Sequence, residues 1–177
     1  LTLTNQKRAE AGLGPLRHNP TLAQAAAGKA ADMFGGDYWA HNSPQGKVPW
    51  DFINASGYKY TVAGENLAKN FSNSDGVAEA WMNSSSHKEN ILKPSYKDIG
   101  FAVVNGTLNG EETTLVVQMF GASNQAPVAQ AQPMVKEVQA QEPVSAPTTA
   151  PAPLVIPTTA VAVTQAQSQA SVLPDFT

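Results

Sequence analysis

The hydrophobic and polar positions of the first 120 residues follow a helical period at the start and a strand pattern at the end. Residues 1–11 predict a helix that the Gly12-Leu13-Gly14-Pro15 segment terminates. A second helix begins behind Asn19, which can cap it, with Pro20 in its first turn. Its apolar residues recur at intervals of three or four: Leu22, Ala26, Ala30 and Met33. Because alanine dominates this stripe, we expect a slim helix that is buried on more than one side.

Shorter signals follow in the middle of the domain. Residues 49–55 predict a short helix, and Ser74-Asp75 caps a third long helix that Ser84-Ser85-Ser86 disrupts. The segments after residue 98 are rich in β-branched and aromatic residues and carry two turn signals: Ile99–Val104, Thr113–Phe120, Asn105-Gly106 and Asn109-Gly110. The pattern therefore predicts an α+β domain that closes with a β-hairpin.

Composition divides the chain near residue 122. All thirteen glycines, every Trp and every Tyr lie at or before Gly121, whereas eight of the thirteen prolines lie beyond it. Residues 123–177 consist mainly of Ala, Pro, Gln, Val and Thr, and Phe176 is their only aromatic residue. Such a segment lacks the apolar surface that would offset the entropy of ordering its backbone. We expect a domain at 1–122 and a disordered Pro/Ala-rich linker or stalk at 123–177, the alternative being a remnant without a role.

Several classes of function are excluded by what the sequence lacks. The chain has no cysteine, which rules out disulfides, cysteine-ligated zinc and a thiol nucleophile. The net charge of -3, without a cluster of Lys and Arg, argues against nucleic acid as a partner. The most apolar part of the tail, residues 154–163, contains Pro157 and is too short to span a membrane. Because the first residue is Leu1, we interpret the chain as a mature product or fragment whose signal peptide has been removed.

Three protonatable residues in distant segments have distinctive neighbours: His41, Glu65 and His87. Two imidazoles can ligate zinc or a similar divalent ion and leave positions for water. Glu65 could orient one imidazole or accept a proton from metal-bound water. We therefore predict a divalent ion bound loosely at His41 and His87. The alternatives are histidines hydrogen-bonded to backbone and a glutamate that caps local N–H groups; His18, in a surface turn without a motif, is assigned no role.

The sequence contains neither a Gly-x-Ser-x-Gly elbow nor a His-Glu-x-x-His motif. The serines near the two histidines are therefore interpreted as caps and turn residues: Ser43, Ser84, Ser85 and Ser86. Large aromatic residues more often pack in a core than grip a ligand, and we expect this of all three tryptophans: Trp39, Trp50 and Trp81.

Seven segments together resemble the CAP superfamily, which includes cysteine-rich secretory proteins, insect venom allergens and plant pathogenesis-related proteins, and especially its cysteine-free bacterial branch. The segments begin at residues 5, 19, 40, 64, 81, 99 and 118: Asn5-Gln6-Lys7-Arg8 with Gly12-Leu13 and Leu16, Asn19-Pro20-Thr21-Leu22-Ala23, Ala40-His41-Asn42-Ser43-Pro44, Gly64-Glu65-Asn66-Leu67-Ala68, Trp81 with Ser86-His87-Lys88-Glu89-Asn90-Ile91-Leu92, Ile99-Gly100-Phe101-Ala102, and Gln118-Met119-Phe120-Gly121. The resemblance covers Leu3 to about Ala122 and implies a three-layer α-β-α sandwich.

In eukaryotic members of that superfamily two histidines and two glutamates line a cleft. The resemblance assigns His41, Glu65 and His87 to three of these positions, while Ser84 stands where the second glutamate is expected, three residues after Trp81. It implies an extracellular or cell-surface binding module whose cleft holds a divalent metal and a small apolar ligand or envelope component. One alternative is a metal-assisted hydrolase of peptide or cell-envelope material, in which Glu65, His41 and His87 carry the reaction. The other is a structural or interaction module with a vestigial cleft.

Overall fold

A computed structural model of the chain describes residues 1–123 and 170–173. In these residues five helices and five strands follow one another along the chain. Their order and bounds are α1 (Thr2–Glu10), β1 (Arg17–His18), α2 (Pro20–Gly35), α3 (Pro49–Ala55), β2 (Val62–Lys69), α4 (Ser74–Asn83), α5 (Ser85–Ile91), β3 (Asp98–Leu108), β4 (Glu111–Ala122) and β5 (Ser171–Val172).

The five strands form one sheet in the order β1-β3-β4-β2-β5. The β1–β3 pair is parallel and the other pairs are antiparallel. Helices cover both faces, because side chains of β4 alternate between two cores. Leu115, Val117 and Met119 pack with α2 and α3, whereas Phe120 packs with Trp81 of α4 and the residues around it. The arrangement confirms the predicted α+β, three-layer α-β-α sandwich.

The second helix is slim and buried, as its alanine stripe predicts. Asn19 caps it by accepting hydrogen bonds from the N–H groups of Thr21 and Leu22, and Pro20 occupies its first turn. Ala26 and Ala30 are fully buried against the sheet. Small side chains on this face allow the helix to lie very close to β3.

Three local features differ from the sequence prediction. Residues 62–69, for which the pattern predicts no element, form the strand β2 that carries Glu65. The serines at 84–86 do break α4, but a new helix, α5, begins at Ser85 and contains His87. The cap of α4 is Asn73, whose side chain accepts from the Gly76 N–H, and not Ser74.

The hairpin turn lies at Asn109-Gly110, where both residues have positive φ angles of 52° and 78°. This backbone is typical of a type I′ turn, for which Asn-Gly is favoured. The other turn signal, Asn105-Gly106, lies inside β3. At that point glycine is required by space, because a Cβ on Gly106 would lie 2.9 Å from the ring of Phe34.

Five residues of the expected tail are described, residue 123 and residues 170–173, and two of them belong to the sheet. In β5, Ser171 and Val172 pair with Lys69 and Ala68 at the end of β2. The disordered tail stays a prediction, because residues 124–169 and 174–177 fall outside those that the structure describes. Among the described residues, no helix combines the length and apolar character needed to cross a membrane.

Candidate functional site

His41 and Glu65 form a buried side-chain contact. Glu65 lies in β2 opposite Met119 of β4, and His41 lies in the connection between α2 and α3. Nδ1 of His41 is 2.6 Å from Oε1 of Glu65, and the two residues are only 7% and 2% exposed. A neutral imidazole that donates from Nδ1 presents its lone pair at Nε2. The carboxylate therefore fixes the orientation of the ring and favours the tautomer with its proton on Nδ1.

His87 is fully buried in the first turns of α5. Its Nδ1 lies 2.8 Å from Oγ of Ser84, and its ring stacks on Trp81 with an interplanar angle of 19°. Ser84 is the N-cap residue of α5, yet its side chain makes no cap hydrogen bond. Ser84 thus lies at the helix boundary, as the interpretation as a cap or turn residue predicts, but its hydroxyl contacts the imidazole and not a helix N–H.

A network of amide side chains joins the His87 segment to β2. Asn66, the neighbour of Glu65 on the opposite face of the strand, donates to the His87 carbonyl at 3.2 Å. Asn90 donates to the Glu65 carbonyl at 3.2 Å and to Oδ1 of Asn66 at 3.0 Å. The structure thus brings the side chains of His41 and Glu65 into direct contact and ties the backbone of His87 to β2 through Asn66, without a described contact between the two imidazoles.

A lysine that the sequence analysis did not single out lies behind His41. Lys29 of α2 is fully buried, and its Nζ donates to the His41 carbonyl at 2.7 Å. Position 29 falls on the same helical face as Ala26, Ala30 and Met33. Lys29 could have been identified in the sequence as a lysine within the apolar stripe of α2. A lysine that is buried there requires hydrogen-bond acceptors for its ammonium group.

The donor set limits what metal the site could hold. Within residues 1–123 and 170–173 there is no group of three or more His, Asp or Glu side chains that could hold a metal ion. Imidazoles that ligate a metal through one ring nitrogen usually have a hydrogen-bond partner at the other. Each candidate histidine has such a partner at Nδ1, which is Glu65 for His41 and Ser84 for His87. Within the described residues the donor set therefore does not fit a zinc site with three protein ligands, and an ion held by His41 and His87 stays a prediction.

The aromatic residues divide between core and site surroundings. Trp81 is buried, as predicted, and its indole N–H donates to the Leu67 carbonyl at 3.1 Å. Trp39 and Trp50 are partly buried at the margin of the core that contains α2 and α3. His18, for which no role is predicted, lies in β1 with its ring edge against Phe101.

Comparisons with known proteins agree on one family. The model of the cysteine-rich secretory protein family, CAP, matches residues 1–120. The uncharacterized protein YkwD of Bacillus subtilis is 41% identical over 102 residues, which are 58% of this chain and 40% of that protein. The uncharacterized membrane protein YlbC of the same organism is 31% identical over 103 residues, or 58% and 30% of the two chains. The matched segments thus cover less than half of either curated relative.

Solved structures give the same result for the fold. An outer surface protein of Borrelia burgdorferi superposes with a TM-score of 0.61 at 24% identity, covering 68% of this chain and 86% of that one. An extracellular protein containing an SCP domain from Bacillus anthracis superposes with a TM-score of 0.59 at 26% identity, covering 68% and 38%.

Proposed function

The chain belongs to the cysteine-rich secretory protein family, CAP, and on that premise we propose that it is an extracellular or cell-surface protein whose His41–Glu65 site binds a small ligand. In this proposal His41 and His87 also hold a divalent ion loosely. Membership confirms the resemblance drawn from the sequence, and the absence of cysteine agrees with the cysteine-free bacterial branch. The proposed location is supported by two structural relatives that are described as an outer surface protein and an extracellular protein.

The buried contact between His41 and Glu65 is the observation that carries the proposal. A carboxylate enclosed in a protein interior is costly unless it is paired, and here its partner is an oriented imidazole 2.6 Å away. Ser84 gives His87 a comparable partner at 2.8 Å. In this proposal the contact at Nδ1 orients each ring, and Nε2 is the atom that meets the ligand or the ion. A bound ion would supply positive charge that attracts an oxygen of the ligand.

The surroundings of this contact favour an apolar or amphipathic ligand. The core cluster on the same face of the sheet has partly buried aromatic residues at its margin, among them Trp39, Trp50 and Tyr60. The rings of Trp50 and Tyr60 lie 6.5 Å apart, and Lys69 Nζ lies 5.5 Å from the Trp39 ring. Aromatic surfaces with a nearby cation and a few fixed polar groups are typical of small-molecule sites. An apolar ligand or a cell-envelope component fits this combination.

A metal-assisted hydrolase is the second candidate, and the same contact is what favours it. An imidazole oriented by a carboxylate is the usual arrangement of a general base. The structure changes the assignment of roles within this alternative, because Glu65 already contacts His41 and its side chain is fully enclosed. His41 would then act on the substrate and Glu65 would orient it. Binding without reaction remains our preferred proposal because Ser84 replaces a carboxylate.

Zinc titration by calorimetry tests the ion site directly. The wild-type protein should bind zinc weakly, and the double variant His41→Ala/His87→Ala should lose that heat. His18→Ala is the matched control, since it removes the one histidine outside the site and should leave the titration unchanged. Equal heats for the wild type and the double variant would refute the ion site.

Incubation of the zinc-loaded protein with peptide and peptidoglycan fragments separates the function classes. Retention of a fragment without products supports the binding module. Turnover that disappears in Glu65→Gln would establish the hydrolase in its place. A wild-type protein that neither binds nor converts any fragment would favour the structural module with a vestigial cleft.

A further inference from the structure

The ammonium group of Lys29 has three oxygen acceptors although it is fully buried. Its Nζ lies 3.0 Å from the Tyr38 hydroxyl, 2.9 Å from the Ala40 carbonyl and 2.7 Å from the His41 carbonyl. A lysine has three N–H donors, so each of them has one acceptor here. This geometry satisfies the charged form of the side chain without a directly bonded carboxylate.

Asp32 and Lys47 fix the position of Tyr38, one of the three acceptors of Lys29. The Tyr38 hydroxyl donates to Oδ2 of Asp32 at 2.7 Å, and Lys47 donates to Oδ1 of the same carboxylate at 2.6 Å. Because the proton of Tyr38 is directed at Asp32, its oxygen lone pair is directed at Lys29. Burial and the Asp32 carboxylate raise the pKa of Tyr38, so the hydroxyl keeps that proton at neutral pH.

Two carboxylates and two aromatic rings act on the charge of Lys29. Burial lowers the pKa of Lys29, and the carboxylates of Glu65 and Asp32 offset only part of this effect. The Nζ also lies 4.8 Å from the centre of the Tyr38 ring and 5.5 Å from that of Phe52. The aromatic rings of Tyr38 and Phe52 favour the charged form of Lys29 and restrict the movement of its side chain.

His41 needs such an anchor because it belongs to the connection between α2 and α3. Residues 36–48 form that connection, and they lie outside the helices and strands. Side chains on connections are placed less accurately than those on helices or strands unless neighbouring groups fix the backbone. Lys29 reaches across from α2 and binds the two consecutive carbonyl groups of Ala40 and His41, which defines the position of the backbone that carries the imidazole.

We propose that Lys29 is the positioning residue of the site, which sets the approach of His41 Nδ1 to Glu65 Oε1 by holding the Ala40 and His41 carbonyl groups. Lys29 touches neither ligand nor ion and acts through His41. The effect on ligand binding rests on the proposed function. The effect on the His41–Glu65 contact does not, and the two can be measured separately.

The test compares Lys29→Met with Arg8→Met in the full chain. Arg8 is the matched control because it is a second buried cation that donates to three carbonyl groups, at Gly14, Ile91 and Lys93. Both variants should lose stability. Proton NMR of the low-field His41 Nδ1–H signal, which reports the short contact with Glu65, should show loss or a large shift of the signal in Lys29→Met only. Zinc affinity should fall about tenfold or more in the same variant.

Two further variants keep the test decisive. Lys29→Gln retains N–H donors without the charge and should recover part of the signal. If Lys29→Met does not fold, Tyr38→Phe removes one acceptor and the link to Asp32, and it should shift the same signal. An unchanged signal in folded Lys29→Met, or an equal loss in Arg8→Met, would overturn the positioning role. The two proposals can fail separately. If the wild-type protein binds neither zinc nor fragments, the proposed function is overturned. If the His41 Nδ1–H signal is nevertheless lost in Lys29→Met and kept in Arg8→Met, the positioning role is supported.

Discussion

His41 and Glu65 come within 2.6 Å of each other although one lies in a connection between helices and the other inside a strand that is buried on both faces. The contact therefore joins the loop to the middle of the sheet. Because both side chains are enclosed, losing either partner leaves a polar group buried without its main interaction. The contact should contribute to stability as well as to binding.

Glu65→Ala should lower the free energy of unfolding by about 3 kcal/mol, because it removes the Glu65 acceptor of the buried His41 N–H and leaves a cavity where the Glu65 side chain was. Glu65→Gln should cost less, since its amide oxygen can still accept from Nδ1. Urea unfolding monitored by tryptophan fluorescence measures both changes. If Glu65→Ala proved as stable as the wild type, the contact would have no structural role.

Ser84→Glu should raise zinc affinity about tenfold, because a carboxylate at this position can accept from Nδ1 of His87 more strongly than a hydroxyl does. The change restores the acidic residue that the family pattern places three residues after Trp81. Ser85→Glu is the matched control, because Ser85 is the exposed neighbour of Ser84 at the start of α5. Equal affinities of the two variants and the wild type would contradict this prediction.

The sequence predicts the fold best where one physical signal dominates. Periodic apolar residues and a capping Asn19 place α2, and β-branched residues with Asn109-Gly110 place the closing hairpin. The strand β2 was not predicted because its Gly-Glu-Asn-Leu-Ala segment contains no β-branched residue and does not alternate between apolar and polar positions. The glycine that opens this segment is required by packing, since a Cβ on Gly64 would overlap the Tyr96 hydroxyl, which donates to the Ala63 carbonyl.

The sequence identifies candidate site residues by their distinctive neighbours and by the family resemblance: His41, Glu65 and His87. The contacts of Lys29 and of Ser84 with His87 depend on distances in the folded chain. A serine before a helix has the same local pattern whether it caps the helix or binds an imidazole. Only the fold distinguishes these two uses.

Arg8→Met should lower the free energy of unfolding by about 3 kcal/mol, since three carbonyl groups lose a charged donor in the interior. Two of those carbonyls lie at the end of α5 and just beyond it, so Arg8 fastens α1 to that segment. Arg17→Met is the comparison, because the Arg17 side chain is mostly exposed and the buried Asp98 keeps its hydrogen bond from Tyr58, so the loss should be less than about 1 kcal/mol. Similar losses in the two variants would contradict the role of Arg8.

Asp32 should make the domain less stable in acid. Burial alone would raise the pKa of Asp32, but hydrogen bonds from Lys47 and Tyr38 outweigh it and lower the pKa below its ordinary value. A carboxyl group whose pKa is lower in the folded state contributes stability above its unfolded pKa of about 3.9, and that contribution is lost as the pH falls through the folded pKa. Wild type should therefore lose more stability than Asp32→Asn between about pH 5 and about pH 2.5.

Urea unfolding at several pH values measures this difference. Lys47→Met should give an intermediate profile, because it removes one of the two donors to Asp32 and leaves Tyr38 in place. Identical pH profiles of wild type and Asp32→Asn would show that this carboxylate contributes nothing to acid sensitivity.

Gly100→Ala should prevent the domain from folding, or cost more than about 4 kcal/mol, because the close approach of α2 to β3 leaves no space for a methyl group. A Cβ on Gly100 would lie 2.1 Å from the backbone nitrogen of Ala23 and 2.2 Å from the carbonyl carbon of Leu22. Both obstacles are backbone atoms of a capped helix, so relief requires moving α2 itself, together with Lys29 and the backbone of His41. Gly14→Ala is the control, since a Cβ there meets nothing within 4 Å and Gly14 has no positive φ angle. Thermal unfolding should show a near-normal midpoint for Gly14→Ala, and a similar midpoint for Gly100→Ala would contradict the close packing of α2 on β3.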